Sequence, residues 1–229
     1  MFHIGERLKT VASMVPVCQT MADIGTDHGY VPAYLALSGQ CRHAIASDIA
    51  EGPCRAAAET RDRYSLFGQM EIRTAPGLKG LRAGEAEAVV IAGMGGATIV
   101  SILEEAPEIA ATVETFVLQP MNAANLLRRW LVHHGYRIAD EALCKENDHI
   151  YVIIKAVHAG KNQKLSVMEE ELGPCIMDNQ PALWKEFIQE KSEHYHRLLR
   201  QMEASPAAIN SDKYKDMKNM LEKVDALIN

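Results

Sequence analysis

The sequence predicts an α/β protein: a largely parallel sheet of seven strands with crossover helices, followed by an α-helical hairpin. Short β-rich runs alternate with helix-length amphipathic stretches between residues 20 and 157, a pattern typical of a parallel sheet with crossover helices. The last two β-rich runs follow each other without room for a helix. After residue 159 the alternation stops, and the chain becomes polar, charged and helical.

Seven segments are predicted to be strands, each short and rich in residues that favour β-structure. They are residues 20–24, 43–47, 70–74, 88–91, 115–119, 136–144 and 150–157. The last two follow one another through the segment KEND, without room for a helix, so we expect them to form an antiparallel hairpin at the edge of the sheet.

One crossover helix carries clear signals at both ends. Asn122 precedes the amphipathic run AANLLRRWLVHH and is predicted to be its N-cap, while Gly135 follows the run. Glycine commonly occupies the position just after a helix because it adopts a left-handed conformation at little cost. We therefore expect the helix to end at Gly135.

The chain from residue 161 onward is predicted to be a separate unit, giving a domain of residues 1–160 and a coiled-coil-like domain of residues 161–229. Two series of residues recur there at alternating spacings of four and three, as in packed helix pairs. Pro206, in the intervening segment ASPAAINS, breaks a helix. We expect an antiparallel hairpin with an internal seam. The two series are Trp184, Ile188, Lys191, Tyr195, Leu198 and Met202, then Tyr214, Met217, Leu221, Val224 and Ile228.

Composition bounds the function without identifying it. The chain has 229 residues, 48% of them hydrophobic and 24% charged, values ordinary for a soluble globular protein. No apolar stretch approaches the roughly 18 residues that span a bilayer, so we expect no membrane partner and a cytoplasmic location. We also expect a monomer or weak homodimer. The five cysteines are scattered without a C-x-x-C pair, which argues against a disulfide framework and against a metal site.

Net charge limits the kind of nucleic-acid binding. The formal charge is -6, which argues against a protein that coats nucleic acid indiscriminately. A local basic face that binds one RNA is still compatible with this charge.

The motif DIGTDHGY, residues 23–30, follows a predicted strand and precedes the apolar run YVPAYLALSG. Gly25 and Gly29 stand where the backbone turns sharply and approaches a ligand. A dinucleotide-binding loop carries a third glycine, whereas Tyr30 follows Gly29 here. The motif therefore disfavours NAD, although the alternation of strands and helices alone permits an oxidoreductase.

Acidic residues in and near this motif favour S-adenosylmethionine (SAM). SAM carries an ammonium and a sulfonium cation and no pyrophosphate, so Asp23 and Asp27 would attract it and repel a pyrophosphate. Asp48 ends the second strand, where a carboxylate can accept hydrogen bonds from ribose hydroxyls of SAM or NAD. The alternatives are a plain strand-to-helix turn with solvated carboxylates and, for Asp48, a helix cap.

The turn Ala92-Gly93-Met94-Gly95-Gly96 follows the apolar strand AVVI. Open α/β sheets bind ligands at the carboxyl ends of their strands. A glycine-dense turn there admits a flat base closely and presents backbone groups to it. We expect this turn to hold a methyl acceptor, with a purely structural tight turn as the alternative.

The segments ADIGTDHGYVPAYL, SDIAEGP, IAGMGG and LQPM, in this order, resemble the bacterial tRNA adenine-22 N1-methyltransferase family (TrmK type) of class I SAM-dependent methyltransferases. The resemblance covers nearly the whole chain, including RLKTVASMVP and the helical region that begins near Leu165. It implies a Rossmann-like seven-stranded SAM-methyltransferase sheet with a C-terminal helical hairpin. It also implies methyl transfer from SAM to N1 of adenosine 22 in the D-arm region of tRNA.

The resemblance and the motifs together give candidate site residues. Asp27 and the carbonyls around Gly93 and Met94 are the candidates for stabilising the charge that develops on the base. The candidates for binding SAM are Asp23, Gly25, Thr26, His28, Gly29, Tyr30, Asp48, Ile49, Ala75, Gly77, Leu78 and Ala92. Basic residues expected to contact RNA phosphates are Arg7, Lys9, Arg128, Arg129 and Lys213.

Two departures from the family pattern stand out. The family typically has a glycine, an acidic or amide residue and then Gly-Leu, where this chain reads Ala75-Pro76-Gly77-Leu78. Proline offers no side-chain donor or acceptor, so the adenine of SAM must be held differently. The edge hairpin reads NDHIYV at residues 147–152, where the family often has Asp-Gly and a Tyr-Glu strand start. Alternatives are a methyltransferase of another RNA site or of a small molecule, and an RNA-binding module without catalysis.

Overall fold

The computed structural model describes residues 3–228 and divides the chain into two compact units. The first ends at Asp178 and the second begins at Asn179. The first is an α/β unit around one sheet, and the second consists of helices.

The sheet has seven strands in the spatial order β3-β2-β1-β4-β5-β7-β6. The first five strands pair in parallel, and β7 pairs antiparallel with both β5 and β6. The predicted seven-stranded sheet with an antiparallel edge hairpin is therefore confirmed. The strands are β1 (Cys18–Ile24), β2 (Cys41–Asp48), β3 (Met70–Thr74), β4 (Ala88–Met94), β5 (Thr115–Pro120), β6 (Tyr136–Glu146) and β7 (His149–His158).

Crossover helices connect the parallel strands, as parallel pairing requires. All residues of the central strand β5 are buried, and so are the first four of β4, so the core lies along the middle of the sheet. The helices of this unit are α1 (Glu6–Met14), α2 (Tyr30–Leu37), α3 (Glu51–Arg63), α4 (Gly96–Glu104), α5 (Pro107–Ala110), α6 (Ala124–His133), α7 (Val167–Leu172) and α8 (Pro174–Asn179), with a short 3₁₀ helix at Gly77–Gly80.

The edge hairpin turns on two residues. Asn147 and Asp148 both have positive φ values, 50° and 60°, and paired left-handed residues match the twist of a two-residue hairpin. Asparagine and aspartate tolerate this conformation better than other non-glycine residues.

The start of α6 differs from the prediction, because Ala123 and not Asn122 is the N-cap. Ala123 adopts a left-handed conformation (φ 49°, ψ 39°). The backbone carbonyl of Asn122 accepts a hydrogen bond from the Gly96 amide at 3.0 Å, so this residue supports the first turn of α4 instead. Gly135 follows the end of α6 with φ 79°, as predicted.

The boundary between the units lies 18 residues later than predicted because the chain after β7 packs into the first unit. Arg128 of α6 is fully buried and donates to the Glu141 carboxylate at 2.7 Å and to the Glu170 carbonyl at 2.9 Å. The Glu141 carboxylate also accepts from the Cys175 amide at 3.1 Å. These contacts tie residues 170–175 to the α/β unit.

The second unit contains a helical hairpin. Its helices are α9 (Trp184–Met202), α10 (Pro206–Ile209) and α11 (Asp212–Asp225). Ser192 donates to Asp225 at 2.6 Å, and Tyr214 donates to Glu203 at 2.9 Å. Ser192, in the middle of α9, thus pairs with the end of α11, whereas Glu203, just after α9, pairs with the start of α11. The two helices are therefore antiparallel, as predicted.

The seam of this hairpin follows the predicted spacing only in part. Trp184, Ile188 and Tyr195 of α9 are buried as expected. Ile228, expected in the seam, is 45% exposed, because α11 ends before it at Asp225.

Candidate active site

The motif of residues 23–30 forms a loop that is fixed to the neighbouring strand. The amides of Gly25 and Thr26 both donate to the Ser47 carbonyl of β2, at 2.8 and 3.0 Å. Because β1 and β2 are parallel neighbours, the loop lies at the carboxyl ends of both strands. Open α/β sheets bind ligands at this edge.

Both glycines of the loop are required by its geometry. Gly29 begins α2 with φ 65°, and a Cβ there would lie 3.2 Å from the Cα of Ala57. Gly25 has φ 77°, and the side chain of Met94 fills the space that a Cβ would need. The loop after β1 therefore touches the turn after β4, which is the other motif singled out in the sequence.

Asp23 is the buried acid of the site. It is 7% exposed at the end of β1. Burial raises its pKa to about 6, the Asp48 carboxylate adds to the rise, and the Thr26 hydroxyl opposes it. A buried carboxylate with a raised pKa attracts a cationic ligand, because such a ligand restores the ionised state.

Asp27, His28 and Tyr30 of the motif form an exposed rim. The Asp27 side chain is 82% exposed, and its carboxylate lies 3.4 Å from His28 Nε2. The rings of His28 and Tyr30 stack with centroids 5.1 Å apart and an interplanar angle of 13°. Thr26 is buried between this rim and the sheet.

Asp48 and Ile49 lie beside the loop, at the end of β2. One carboxylate oxygen of Asp48 accepts from the Ala50 amide at 2.7 Å, so this side chain fixes the turn before α3. The Ile49 side chain is 72% exposed. An exposed apolar side chain next to a half-buried carboxylate suits the flat face of the base and the polar ribose of a nucleoside.

Residues 75–78 form the third wall of this side of the site. The Ala75 amide donates to the Asp48 carbonyl at 2.9 Å, Gly77 opens the 3₁₀ helix with φ 53°, and Leu78 is buried. Pro76 is exposed. Behind this wall the hydroxyl of Ser47 is buried without a hydrogen-bond partner among the described residues.

The turn after β4 contains a bulge. Gly93, with φ 77°, stands between Ala92 and Met94, where the pairing of β4 with β5 shifts by one residue. The Met94 carbonyl accepts from the Met121 amide at 2.7 Å. The carbonyls around Gly93 and Met94 were expected to face the acceptor base. That of Met94 already accepts a hydrogen bond from the chain after β5.

A side chain that sequence reasoning did not assign fixes this bulge. The Gly93 amide donates to Gln119 Oε1 at 3.1 Å, and Gln119, at the end of β5, is fully buried. Gln119 is part of the segment LQPM. A polar residue at the end of an otherwise apolar strand is the feature of the sequence that could have indicated its role.

Arg7 lies at the same edge, and its side chain is 23% exposed. Its Nη1 donates to Gln119 Oε1 at 2.7 Å, and its Nε lies 3.4 Å from a Glu146 carboxylate oxygen. Its guanidinium carbon is 5.4 Å from the centre of the Tyr151 ring. Arg7, predicted to contact RNA, thus also has three internal partners, which hold its guanidinium against the bulge.

The other basic residues divide into buried and exposed. Arg128 is fully buried and paired with Glu141, so its assignment as an RNA contact is wrong. Arg129 is exposed and pairs with Glu170 at 2.6 Å. Lys213 is exposed on α11, and Lys9 pairs with the exposed Glu6.

An open cavity of about 510 Å³ lies elsewhere, at the amino ends of β1 and β2. Cys18, Cys41 and Arg42 are among its lining residues. Because ligands of open α/β sheets bind at the opposite edge, we do not assign this cavity to the active site.

Within residues 3–228, no helix is long and apolar enough to cross a bilayer. Among the same residues, no cluster of three or more His, Cys, Asp or Glu side chains is arranged to hold a metal ion.

Comparisons with known proteins agree with this geometry. A family model described as a methyltransferase domain matches residues 4–154. The tRNA (adenine(22)-N(1))-methyltransferase of Bacillus subtilis is 30% identical over 98% of this chain and 97% of its own length. The crystal structure of the B. subtilis tRNA methyltransferase TrmK superposes with a TM-score of 0.88 at 28% identity, over all of both chains.

A second solved structure is M. capricolum TrmK in complex with the cofactor product S-adenosyl-homocysteine. It superposes with a TM-score of 0.83 at 27% identity, over 98% of this chain and 97% of that chain. These matches cover both the α/β unit and the helical unit. The chain therefore belongs to the tRNA (adenine(22)-N(1))-methyltransferase family.

Proposed function

We propose that this chain transfers a methyl group from SAM to N1 of adenosine 22 in tRNA. The observation that carries the proposal is the contact between the two loops: the side chain of Met94 occupies the space beside Gly25. A donor held by the loop after β1 and an acceptor held by the turn after β4 would be adjacent. Methyl transfer requires this adjacency, because the reacting atoms must be held close together and in line.

The residues present fit SAM. The left-handed glycines let the loop turn tightly at the carboxyl end of β1, Asp23 offers a buried negative charge, and the Ser47 hydroxyl lies buried without a partner among the described residues. Asp23 would hold the amino-acid end of the ligand and Asp48 the ribose. When bound, SAM supplies an electrophilic methyl group on a sulfonium.

The adenine end of the cofactor would rest on an apolar wall. Ile49 is exposed, Ala75 and Gly77 are partly exposed, and the Ala75 amide is tied to the Asp48 carbonyl. Pro76 offers no side-chain donor or acceptor, so base recognition in this chain would depend on backbone amides and apolar contact. The departure from the family pattern at Pro76 is thus compatible with SAM binding.

The acceptor needs little acid–base assistance from the protein. N1 of adenine has a free lone pair, and the base acquires a positive charge as N1 is methylated. Asp27, exposed at the rim, and the backbone carbonyls at the bulge would stabilise that charge. No covalent nucleophile is required.

Adenosine 22 must leave its stack to reach the site, at a cost of a few kcal/mol. Contacts to RNA phosphates would offset this cost. Lys213, Lys215 and Lys218 are exposed on α11, and Arg129 is exposed on α6. These cations are the candidates for that contact, in the cytoplasm where tRNA is processed.

The test is methylation of unmodified tRNA transcripts with labelled SAM. We expect incorporation into a transcript with adenosine 22 and none into a transcript with guanosine at that position. Label in both transcripts would assign the chain to another RNA site. Label in neither, together with no SAM binding at millimolar concentration in isothermal titration, would overturn the proposal.

A further inference from the structure

The peptide that joins Ala92 to Gly93 is held on its β5 side by a buried side chain. Its N–H donates to Gln119 Oε1 at 3.1 Å, and Gln119 belongs to β5, one of the two neighbours of β4. The N–H and C=O of a trans peptide point in opposite directions. The Ala92 carbonyl therefore points away from β5 and toward the β1 side, where the last β1–β4 pair is Ile24 with Ile91.

The orientation of the Gln119 amide is fixed by two donors. A glutamine side chain can be turned end for end, and neighbouring groups decide which end is oxygen. Here the Gly93 amide and Arg7 Nη1 both donate to the same atom, at 3.1 and 2.7 Å, so that atom is the oxygen. Gln119 Nε2 donates to the Pro120 carbonyl at 3.2 Å.

Arg7 is itself restrained. Its backbone amide and its Nε both approach the Glu146 carboxylate, at 3.3 and 3.4 Å, and its guanidinium lies over the Tyr151 ring. The carboxylate balances the charge of the guanidinium. A positively charged product base is therefore not opposed by an unpaired cation at the bulge.

We propose that Gln119 is the positioning residue that makes the site select a base with an exocyclic amino group. By holding the Gly93 N–H, it aims the Ala92 carbonyl at the acceptor, where the carbonyl accepts a hydrogen bond from the 6-amino group of adenine. Arg7 acts indirectly, because it fixes the orientation of the Gln119 side-chain amide. The inference rests on the proposed function, since it concerns the acceptor side of the same site.

A carbonyl at this position discriminates by polarity. Adenine presents an N–H donor at its 6-position, whereas guanine and hypoxanthine present an oxygen that would face the Ala92 carbonyl. An unsubstituted purine presents neither group and loses one hydrogen bond, while its N1 keeps a lone pair. Sites that hydrogen-bond a substrate group reject analogues that lack it.

The first experiment needs neither SAM nor RNA. Amide hydrogen exchange at Gly93 is compared in the wild type, in Gln119→Leu and in Gln119→Glu. We expect a protected amide in the wild type, exchange at least about tenfold faster in Gln119→Leu because the acceptor is gone, and protection restored in Gln119→Glu, which keeps an oxygen. Equal exchange in the wild type and Gln119→Leu would overturn the proposal.

The second experiment measures discrimination. Transcripts carrying adenosine or purine riboside at position 22 are methylated by each variant, and the ratio of kcat/KM for the two transcripts is compared. We expect the ratio to fall by about tenfold in Gln119→Leu and to be retained in Gln119→Glu. The lower intrinsic reactivity of purine cancels, because the same two bases are compared in every variant.

The outcomes separate the two proposals. If the wild type methylates neither transcript, the proposed function fails. If it methylates adenosine and the ratio is unchanged in Gln119→Leu, the role of Gln119 fails while the function stands.

A second variant keeps the proposal testable if Gln119→Leu fails to fold. Arg7→Met leaves the Gly93 acceptor in place and is expected to reduce the ratio by less than Gln119→Leu does, with SAM affinity unchanged. Arg42→Met, at the opposite end of the sheet, is the control and should leave the ratio unaltered. A larger loss in Arg7→Met than in Gln119→Leu would contradict the order of action.

Discussion

Asp23 illustrates how one buried carboxyl group links ligand binding to stability. Its ordinary pKa of 3.8 is raised to about 6 in the folded protein. Between these two values the folded state holds more protons than the unfolded state, so the free energy of unfolding falls as pH rises. The stability that protonated Asp23 contributes at low pH is lost as pH rises through about 6. A shift of roughly two units corresponds to about 3 kcal/mol.

We therefore predict that Asp23→Asn stabilises the protein without cofactor. At pH 7.5 the free energy of unfolding in urea should rise by about 1–3 kcal/mol, and the gain should shrink toward pH 4, where wild-type Asp23 is protonated. SAM affinity should fall at pH 7.5, because the buried charge is lost. Asp27→Asn, at an exposed position, is the control, and an equal gain in both variants would contradict the burial argument.

Asp27 is expected to matter for turnover and little for folding. Its side chain is exposed at the rim, so Asp27→Ala should unfold at nearly the wild-type urea concentration. We expect it to lose most single-turnover methylation, because an acceptor for the developing charge is removed. Near wild-type rates would remove Asp27 from the catalytic residues.

At the scale of single residues, the sequence shows the acids and glycines of the loop but not their partners. Gln119 and Arg7 are separated by 112 positions along the chain, and no local pattern indicates that they share a contact. The sequence alone predicts an RNA contact at Arg7, because it is a basic residue near the start of the chain that could contact phosphate. Only the folded sheet places it against β5 and the edge hairpin.

The start of α2 is an element whose geometry depends on one glycine. Gly29 has φ 65°, and a Cβ would meet the backbone of Ala57. We predict that Gly29→Ala lowers the free energy of unfolding by about 1–3 kcal/mol and weakens SAM binding, measured by urea denaturation and titration calorimetry.

The matched control is Gly52→Ala. Gly52 lies in α3, and no atom comes within 4 Å of the position that an added methyl group would take. Alanine favours helix over glycine by up to about 1 kcal/mol, so this variant should be neutral or more stable. A similar loss at both glycines would mean that left-handed geometry is not the cause.

The pair Arg128–Glu141 joins α6, β6 and the chain after β7. Both side chains are fully buried, and burial raises the pKa of Glu141 while Arg128 opposes the rise. Arg128→Met should lower the free energy of unfolding by about 3–5 kcal/mol, because Glu141 is left buried without its cation.

The double variant Arg128→Met/Glu141→Met should cost clearly less than the sum of the single changes, because it leaves no unpaired charge. Additive losses in urea denaturation would contradict this coupling. Arg129→Met, next along the helix and exposed, should change stability by less than about 1 kcal/mol.

At the scale of elements, the type and order of strands and helices follow from the sequence, while boundaries depend on distant partners. Asn122 looks like an N-cap, yet its carbonyl serves α4 and Ala123 caps α6 instead. Arg128 looks like a solvent-facing residue of an amphipathic helix. The carbonyl that it binds comes 42 residues later, so no local signal places it in the core.

For the whole molecule, the helical unit is expected to contribute to RNA affinity through charge. Lys213 and Lys218 are exposed on α11. Replacing both with alanine should weaken tRNA binding and reduce the slope of log K against log salt by up to about two, one for each lost phosphate contact. SAM affinity should not change.

The salt series is best compared with Arg42→Ala, which removes an exposed charge at the far end of the sheet. An unchanged slope in the double lysine variant would exclude α11 as an RNA contact.

The fold of both units was predictable because periodicity of two and of three to four residues is a local property. The boundary was not, because it depends on where residues 170–175 find partners.

The contact between Arg7 and Glu146 spans 139 positions of the chain. The elements that would hold the donor extend only to Met94, because β1 pairs with β4 and Met94 fills the space beside Gly25, whereas the acceptor side needs the edge hairpin up to Tyr151. Closing so long a segment is entropically slow. On a growing chain the residues of the cofactor side are therefore synthesised before those that complete the acceptor side.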